Sequence, residues 1–175
     1  MFSNAFVVGA SNGPAPALVD AANCAEFARI EPFTRLSAVE TALKSVPSCF
    51  FLFAPVADIS RMGKLVRQIR QSRHAGIRYA PLIYFCNTAS REVIRACVTL
   101  GFDDVIAMPF SPPYFRKRLT THMDRPVIYF ETRDYLGPDR REEMRTQERG
   151  HSQTITFQRH ADIGIRIADR RRNAA

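Results

Sequence analysis

The chain has 175 residues, of which 46% are hydrophobic and 24% are charged, which is enough for one domain with a proper core. No stretch is long and apolar enough to span a membrane and no signal peptide is visible, so we expect a cytoplasmic protein without a membrane segment. The net charge of +8 favours acidic partners or anionic ligands. No cysteine pair has CxxC spacing, and we expect all four to be reduced: Cys24, Cys49, Cys86 and Cys97.

The first part of the chain alternates short apolar runs with helical patterns. Strands are predicted at residues 6–8, 26–30 and 49–53. The second run alternates polar and apolar residues as an edge strand does, and the third is the most hydrophobic and is therefore placed centrally. Helices are predicted at residues 15–23, 36–46 and 59–69, the second with a Ser37–Glu40 capping box at its start.

The third predicted helix has a basic side that carries no acid. Gly76 is predicted to end this helix. We place five cations on its basic side: Arg61, Lys64, Arg67, Arg70 and Arg73. Such a side is typical of a solvated helix face, or of a surface for an acidic protein or nucleic acid.

Residues 81–113 are the best-organised part of the sequence. An apolar run predicts a buried strand, and the helix that follows it ends at Gly101. Asp103 and Asp104 lead into a second buried strand, and Ser111 caps the last helix. We interpret the two aspartates as polar loop residues, because ligands in parallel sheets bind beyond the opposite edge, where the strands end.

The order of elements is five strands and five helices in alternation. Right-handed crossovers then predict an α/β fold with a doubly wound, five-stranded parallel sheet. This domain is predicted over residues 1–125. Residues 126–175 are predicted to form a charged C-terminal extension that is partly disordered, with a polar, mobile stretch at 142–153. Weak strand patterns occur near residues 127–130 and 154–167.

Two short segments flank the last predicted strand of the sheet, Gly101-Phe102-Asp103-Asp104 before it and Met108-Pro109-Phe110 after it. They resemble the Gly-Ala-Asp-Asp and Lys-Pro-Phe turns that occupy these places in the receiver domain of two-component response regulators. The resemblance covers about residues 4–125. It implies a receiver or flavodoxin-like fold and a role in bacterial signalling.

The reactive groups of that family are absent from the corresponding positions. A receiver uses an aspartate at the end of its third strand and acids after the first, because carboxylates serve as nucleophile and as hard ligands for Mg²⁺. The corresponding places fall on Ser11 after the first strand, Phe53 and Ala54 ending the third, Cys86 for the hydroxyl switch, and Met108 with Pro109 for the lysine-proline pair. The resemblance therefore predicts a degenerate pseudo-receiver that cannot be phosphorylated and is not an enzyme, with no metal or cofactor.

A second, shorter resemblance lies in the extension. The segment Tyr135-Leu136-Gly137-Pro138-Asp139-Arg140-Arg141 resembles a Y-x-G-P-D-R-R element of receiver-like signalling proteins from alphaproteobacteria. Gly-Pro is expected to fix a turn, Tyr135 to pack on the domain, and Asp139 to orient the arginines toward a carboxylate or phosphate. The candidate anion-binding or docking residues of this tail are Arg133, Tyr135, Asp139, Arg140 and Arg141.

The usual interaction face of receivers is formed by the fourth helix, the fifth strand and the fifth helix, here about residues 90–123. Its polar and aromatic candidates are Arg91, Arg95, Tyr114, Arg116 and Lys117. We expect the protein to act by binding a kinase or regulator through this face, or by forming a homodimer there. Nucleic acid is weakly supported as a partner, because there is no Trp and no recognised DNA-binding unit follows the domain.

Two other functions stay open at this point. One is a nucleotide-sensing module, in which the arginines of the tail hold cyclic di-GMP. The other is a small Rossmann-type enzyme that uses the glycines of residues 9–13 to approach a pyrophosphate. Pro14 and Pro16 argue against the enzyme, because they disturb the helix that would follow.

Overall fold

The computed structural model describes residues 3–140 and 152–173 and contains two sheets. The first is parallel, with strand order β2-β1-β3-β4-β5. Its strands are β1 (Asn4–Val8), β2 (Arg29–Pro32), β3 (Cys49–Phe53), β4 (Leu82–Cys86) and β5 (Asp104–Ala107). The helices are α1 (Ala15–Ala22), α2 (Leu36–Ala42), α3 (Gly63–Arg70), α4 (Ala75–Arg78), α5 (Arg91–Leu100) and α6 (Pro112–Thr120), with 3₁₀ turns at Asn23–Ala25 and Ile59–Met62. The predicted doubly wound α/β fold is confirmed.

Strand β3 is central, as its hydrophobicity predicted. All five of its side chains are buried, and they alternate between two apolar layers. Phe51 and Phe53 face the layer that includes α2 and α3, whereas Phe50 and Leu52 face the layer that includes α1 and α6. Fully burying an aromatic or aliphatic side chain contributes about 1.5–3 kcal/mol each, which is why this run organises both layers.

Most of the predicted helix ends around α5 and α6 are confirmed. The side chain of Ser90 accepts a hydrogen bond from the backbone N–H of Val93, and Ser111 does the same for Tyr114. Gly101 ends α5 with a φ of +88°, a left-handed conformation that favours glycine. The prediction of a capping box at Ser37 is wrong, because α2 already includes Leu36 and no side chain caps its start. Strand β2 lies at the sheet edge as expected, but a few residues later than predicted.

The region of the third predicted helix differs from the prediction in two ways. It consists of a 3₁₀ turn, then α3, then the short α4, so the helix ends at Arg70 and Gly76 lies inside α4. Arg70 is also buried, with only 3% of its surface exposed, so its assignment to a solvated basic face is wrong. The physical reason is helical spacing: Arg70 follows the buried Val66 by four residues and therefore lies on the same face.

The described part of the C-terminal extension forms a second, antiparallel sheet with strand order β7-β6-β8-β9. Its strands are β6 (Pro126–Glu131), β7 (Leu136–Pro138), β8 (Ser152–His160) and β9 (Gly164–Asn173). The weak strand patterns predicted near residues 154–167 thus belong to two long strands. The predicted mobile stretch lies almost entirely outside the described residues. A small apolar core lies between the two sheets. In it, the ring centroids of Tyr79 and Phe157 are 4.7 Å apart.

The second sheet packs against the parallel sheet at the edge where the parallel strands begin, hereafter the N-terminal edge. Ser48, just before β3, donates a hydrogen bond of 3.2 Å to the carbonyl of Ala161. The backbone N–H of Asp124 donates to the carbonyl of Arg159 at 2.8 Å. The opposite, C-terminal edge is where the strands of the parallel sheet end.

Among the described helices, none has the length and apolar character needed to cross a membrane.

Candidate functional site

The C-terminal edge holds the residues that correspond to a receiver's phosphorylation pocket, and small side chains fill it where β1 and β3 end. Phe53 is fully buried, with its ring 4.9 Å from that of Phe102, and Ala54 is equally buried. A Cβ atom added to Gly9 would lie 2.8 Å from the Cβ of Ala54 and 3.0 Å from that of Ala15. Gly9 therefore serves close packing of α1 on the sheet.

The remaining pocket positions carry weakly polar groups. Cys86 is buried, its Sγ lies 3.8 Å from the carbonyl oxygen of Ile106, and burial raises the pKa of its thiol. Met108 is half-buried against the α1 and α6 layer and is joined to Pro109 by a cis peptide bond. Ser11 lies exposed in the loop before α1. Within residues 3–140 and 152–173, no group of three or more His, Cys, Asp or Glu side chains could hold a metal ion.

The predicted partner face corresponds to α5, β5 and α6. It exposes two large apolar side chains, Ile94 at 43% and Tyr114 at 45%. Four of the five predicted residues, Arg91, Arg95, Tyr114 and Lys117, are exposed there without a side-chain hydrogen bond or ion pair to another described residue. Arg116 is also exposed, but it donates a hydrogen bond of 3.0 Å to the carbonyl of Cys24 and so reaches toward the end of α1.

The N-terminal edge holds a buried group of charges that sequence reasoning missed, hereafter the Asp103 cluster: Arg70, Asp103, Tyr129 and Arg159. Both oxygens of Asp103 accept two hydrogen bonds each. Oδ2 accepts from Nη2 of Arg70 at 2.7 Å and from the backbone N–H of Leu82 at 2.8 Å. Oδ1 accepts from Nη2 of Arg159 at 2.7 Å and from the hydroxyl of Tyr129 at 2.5 Å. A carboxylate from the parallel sheet thus binds two residues of the extension.

Two guanidinium groups share the single carboxylate of this cluster. Arg70 and Arg159 are 3% and 1% exposed. Burial by itself raises the pKa of Asp103, but Arg159 and Arg70 outweigh that effect and hold the pKa well below its usual range. Burial also raises the pKa of Tyr129, so its hydroxyl stays neutral. The cluster therefore carries one positive charge in excess.

Arg159 also binds the backbone of the parallel-sheet domain. Its Nε donates to the carbonyl of Tyr79 at 2.7 Å, and its Nη1 donates to that of His122 at 3.4 Å. Next to it, Asp104 accepts from Nε of Arg118 at 3.0 Å and lies 3.2 Å from Nε2 of His122. Burial opposes the charge on Asp104, but His122 and Arg118 outweigh it and lower the pKa of the carboxyl. The two aspartates lie at the N-terminal edge of the sheet, as predicted, but their side chains are buried and act as structural partners.

The Y-x-G-P-D-R-R element packs on the end of α5. Gly137 lies against Gly101 so closely that a Cβ added to Gly137 would be 2.8 Å from the Cα of Gly101. Gly137 and Pro138 lie in β7 and do not form the predicted turn. Tyr135 is half-buried, as predicted, and burial raises the pKa of its hydroxyl to about 12. Arg140 donates from Nη2 to the carbonyl of Asp103 at 2.8 Å, which turns it inward. Arg141 lies outside the described residues.

One signal in the sequence could have revealed the inward position of Arg159. Residues Ile155, Phe157 and Arg159 recur at every second position, and all three are buried in β8. A strand with this period places the three side chains on one face. A charged residue at the end of an inward-facing series of this kind predicts a buried partner of opposite charge.

No protein-family model and no curated protein matches this chain. Solved structures do. A CheY-like protein, tadZ, from Pseudomonas aeruginosa PAO1 has a TM-score of 0.53 at 12% identity and covers 68% of this chain and 98% of its own. A putative pilus assembly-related protein from Burkholderia pseudomallei K96243 has 0.52 at 12%, covering 69% and 88%. A putative response regulator from Chloroflexus aurantiacus has 0.51 at 17%, covering 69% and 97%. Identities this low show the fold alone, and that fold is the receiver fold.

Proposed function

We propose that this protein is a cytoplasmic, receiver-like signalling protein that acts by binding other proteins in a two-component or related pathway, without accepting a phosphoryl group. The observation that carries the proposal is the exposed apolar pair on the partner face. Ile94 and Tyr114 are 43% and 45% exposed, on α5 and α6. Arg91 precedes Ile94 by three residues and Lys117 follows Tyr114 by three, so each apolar side chain has a cation beside it on its helix.

This combination of residues supports protein binding. Aromatic and arginine side chains are enriched where protein interfaces contribute most to affinity. The cations beside Ile94 and Tyr114 favour a partner with an acidic rim, because complementary charge speeds association. The described residues of the extension bind Val98 near the end of α5 and His122 after α6, and none of these hydrogen bonds involves Ile94 or Tyr114. A kinase, a regulator or a second copy of the chain would fit such a face.

The pocket residues support the absence of phosphoryl transfer. Phe53 and Ala54 end β3, and whichever of the two corresponds to the acceptor aspartate of a receiver has no carboxylate. Met108 provides no ammonium group to hold a phosphate. Incubation with acetyl phosphate and Mg²⁺ should therefore leave the protein unlabelled. An aspartyl phosphate detected by mass spectrometry would overturn the proposal.

The binding face is tested with a double variant, Ile94→Ser with Tyr114→Ser. Both side chains are exposed, so the variant should fold, while partners captured from the native cytoplasm, or a homodimer seen by analytical ultracentrifugation, should be lost. Ile163→Ser is the matched control, because Ile163 is 63% exposed but lies in the extension. Equal loss of partners in the control, or retention of partners in the double variant, would contradict the role of this face.

The two rival functions receive less support. A cyclic di-GMP module would need the arginines of the tail to face outward, whereas Arg140 binds the carbonyl of Asp103. Calorimetry separates this rival from the proposal: tight binding that Arg140→Ala abolishes would favour it, and no heat at about millimolar ligand would remove it. A Rossmann-type enzyme gains no support from Gly9, because this glycine serves the packing of Ala54 and Ala15. It would be revived by a rise in melting temperature on addition of NAD(P).

A further inference from the structure

A cleft of about 160 Å³ lies between α3 and the segment that joins β6 to β7. Polar and basic side chains line much of it. Those that bear on its chemistry are Arg67, Arg70, Arg78, Thr132, Arg133 and Asp134. The cleft brings a helix of the parallel-sheet domain together with a turn of the extension, so it forms only when the two parts are docked.

The charges around this cleft are unbalanced. Glu131 also lines it, but its carboxylate already binds Arg78 and the side chain of Gln153. Arg67 and Arg133 are exposed, and neither forms an ion pair or a side-chain hydrogen bond with any residue within 3–140 and 152–173. Asp134 is the other acid of the lining. Arg70 is paired with Asp103 and Arg78 with Glu131, so Arg67 and Arg133 are left with one remaining carboxylate of the lining, that of Asp134.

Arg70 connects this cleft with the buried charges behind it. It lines the cleft, yet it belongs to the Asp103 cluster, in which it and Arg159 share one carboxylate. Its Nε is a buried donor that has no hydrogen-bond partner among the described residues. The excess positive charge of the cluster does not depend on Arg67 and Arg133, and it favours an anion in the cleft.

The shape and chemistry of the lining narrow the kind of anion. The volume is well below the roughly 300–1,000 Å³ of sites that enclose whole small molecules, so it fits a single anionic group. Guanidinium groups from α3 and from the turn approach it from two sides. The hydroxyl of Thr132 accepts the backbone N–H groups of Asp134 and Tyr135, which leaves its proton free to be donated. A tetrahedral group with several oxygens uses such donors better than a planar carboxylate, which one arginine can satisfy.

We propose that this cleft binds a phosphate group, held by Arg67 and Arg133 at its mouth and by the positive charge of Arg70 at its base. The site is separate from the degenerate phosphorylation pocket, which lies at the opposite edge of the sheet. Binding would tighten the docking of the extension, because the ligand contacts α3 and the β6–β7 turn together. The phosphate group could belong to inorganic phosphate or to a phosphate monoester.

The test is an NMR titration of the full chain, labelled with ¹⁵N, at constant ionic strength. Inorganic phosphate and O-phosphoserine are the probes, and acetate is the planar control. We expect saturable shifts in α3 and in residues 131–136 with phosphate, and at least a tenfold weaker affinity in Arg67→Gln and in Arg133→Gln. Arg61→Gln removes the same charge from an exposed residue outside the cleft and should leave the affinity unchanged. Tighter binding of O-phosphoserine would assign the group to a monoester, and equal or weaker binding to the free ion.

Three results would overturn the site. These are shifts that do not saturate, acetate binding as tightly as phosphate, or Arg61→Gln weakening the affinity as much as Arg67→Gln does. The last would show that only the net charge attracts phosphate. The variants change exposed side chains, so their amide spectra should keep the dispersion of the wild type, and the comparison stays valid.

Discussion

The two edges of the parallel sheet carry different kinds of side chains, and their distribution is the reverse of what the receiver resemblance implies. The C-terminal edge, where that family carries out its chemistry, is filled by Ala54, Cys86 and Met108. The N-terminal edge, usually a plain loop region, buries Asp103 between two arginines and anchors a second sheet. The charged side chains of the N-terminal edge therefore hold an added structure, whereas Ala54, Cys86 and Met108 place no charged side chain at the other edge.

The largest effect is expected from Asp103→Asn at the N-terminal edge. Both oxygens of Asp103 accept hydrogen bonds, so an amide nitrogen must replace one acceptor, and two buried guanidinium groups lose their counter-charge. Removing one partner of a buried ion pair costs about 3–5 kcal/mol in the free energy of unfolding. Urea unfolding followed by circular dichroism measures the loss. Asp58→Asn, at an exposed acid, is the control and should cost less than about 1 kcal/mol.

A loss below about 1 kcal/mol in Asp103→Asn would break the comparison of the two edges, because the cluster would then hold nothing in place. A second variant, Arg159→Met, tests the same comparison in finer detail. That change leaves Arg70 and Asp103 as a balanced pair, so its cost should be smaller than that of Asp103→Asn even though a larger side chain is altered.

Features of the structure that depend on neighbouring residues could be predicted from the sequence, whereas features that join distant residues could not. Strand β3, the cap at Ser111 and the helix end at Gly101 follow from neighbouring residues, and all are observed as predicted. The Asp103 cluster joins residues far apart in the chain, Arg70 and Arg159 among them. Its formation depends on how β8 is aligned with β6, which no local pattern of the extension fixes. Arg70 is a different case: its spacing of four residues from Val66 is a local signal for the buried face, and only its partner Asp103 lies in another element.

The next effect concerns the close approach of the Y-x-G-P-D-R-R element to α5. In Gly137→Ala the new Cβ would lie 2.6 Å from the hydroxyl of Tyr135 and 2.8 Å from the Cα of Gly101. The second contact is with backbone, which cannot move aside easily, so we expect a loss of about 1–3 kcal/mol in thermal or urea unfolding. Gly13→Ala is the matched control, because its Cβ would meet only ordinary contacts of 3.4 Å or more. Equal stability of the two variants would show that the element does not pack as described.

Below about pH 4 we expect the free energy of unfolding to fall by about 1.4 kcal/mol for each unit by which the pH is lowered. Arg159 and Arg70 keep the pKa of Asp103 below its unfolded value, despite burial. The stabilisation is therefore complete above the unfolded pKa of about 3.9 and is lost as the pH falls toward the folded one. Urea unfolding between about pH 6 and pH 3 measures the fall. In Arg159→Met the carboxyl keeps only Arg70, so the total loss should shrink; identical curves for the two proteins would contradict this account.

The smallest effect is expected at the C-terminal edge, from Met108→Lys, which supplies the lysine of a receiver. Met108 is half-buried, and a lysine can follow the same path with its ammonium group in water, so the free energy of unfolding should change by less than about 1 kcal/mol. Leu119→Lys is the matched control. Leu119 is 1% exposed, and an unpaired ammonium buried there should cost about 3 kcal/mol or more. Acetyl phosphate should leave Met108→Lys unlabelled, because a lysine stabilises a bound phosphate but cannot replace the absent acceptor carboxylate. Labelling of this variant would mean that an aspartate near the edge still reacts, and that its chemistry was suppressed by one residue only.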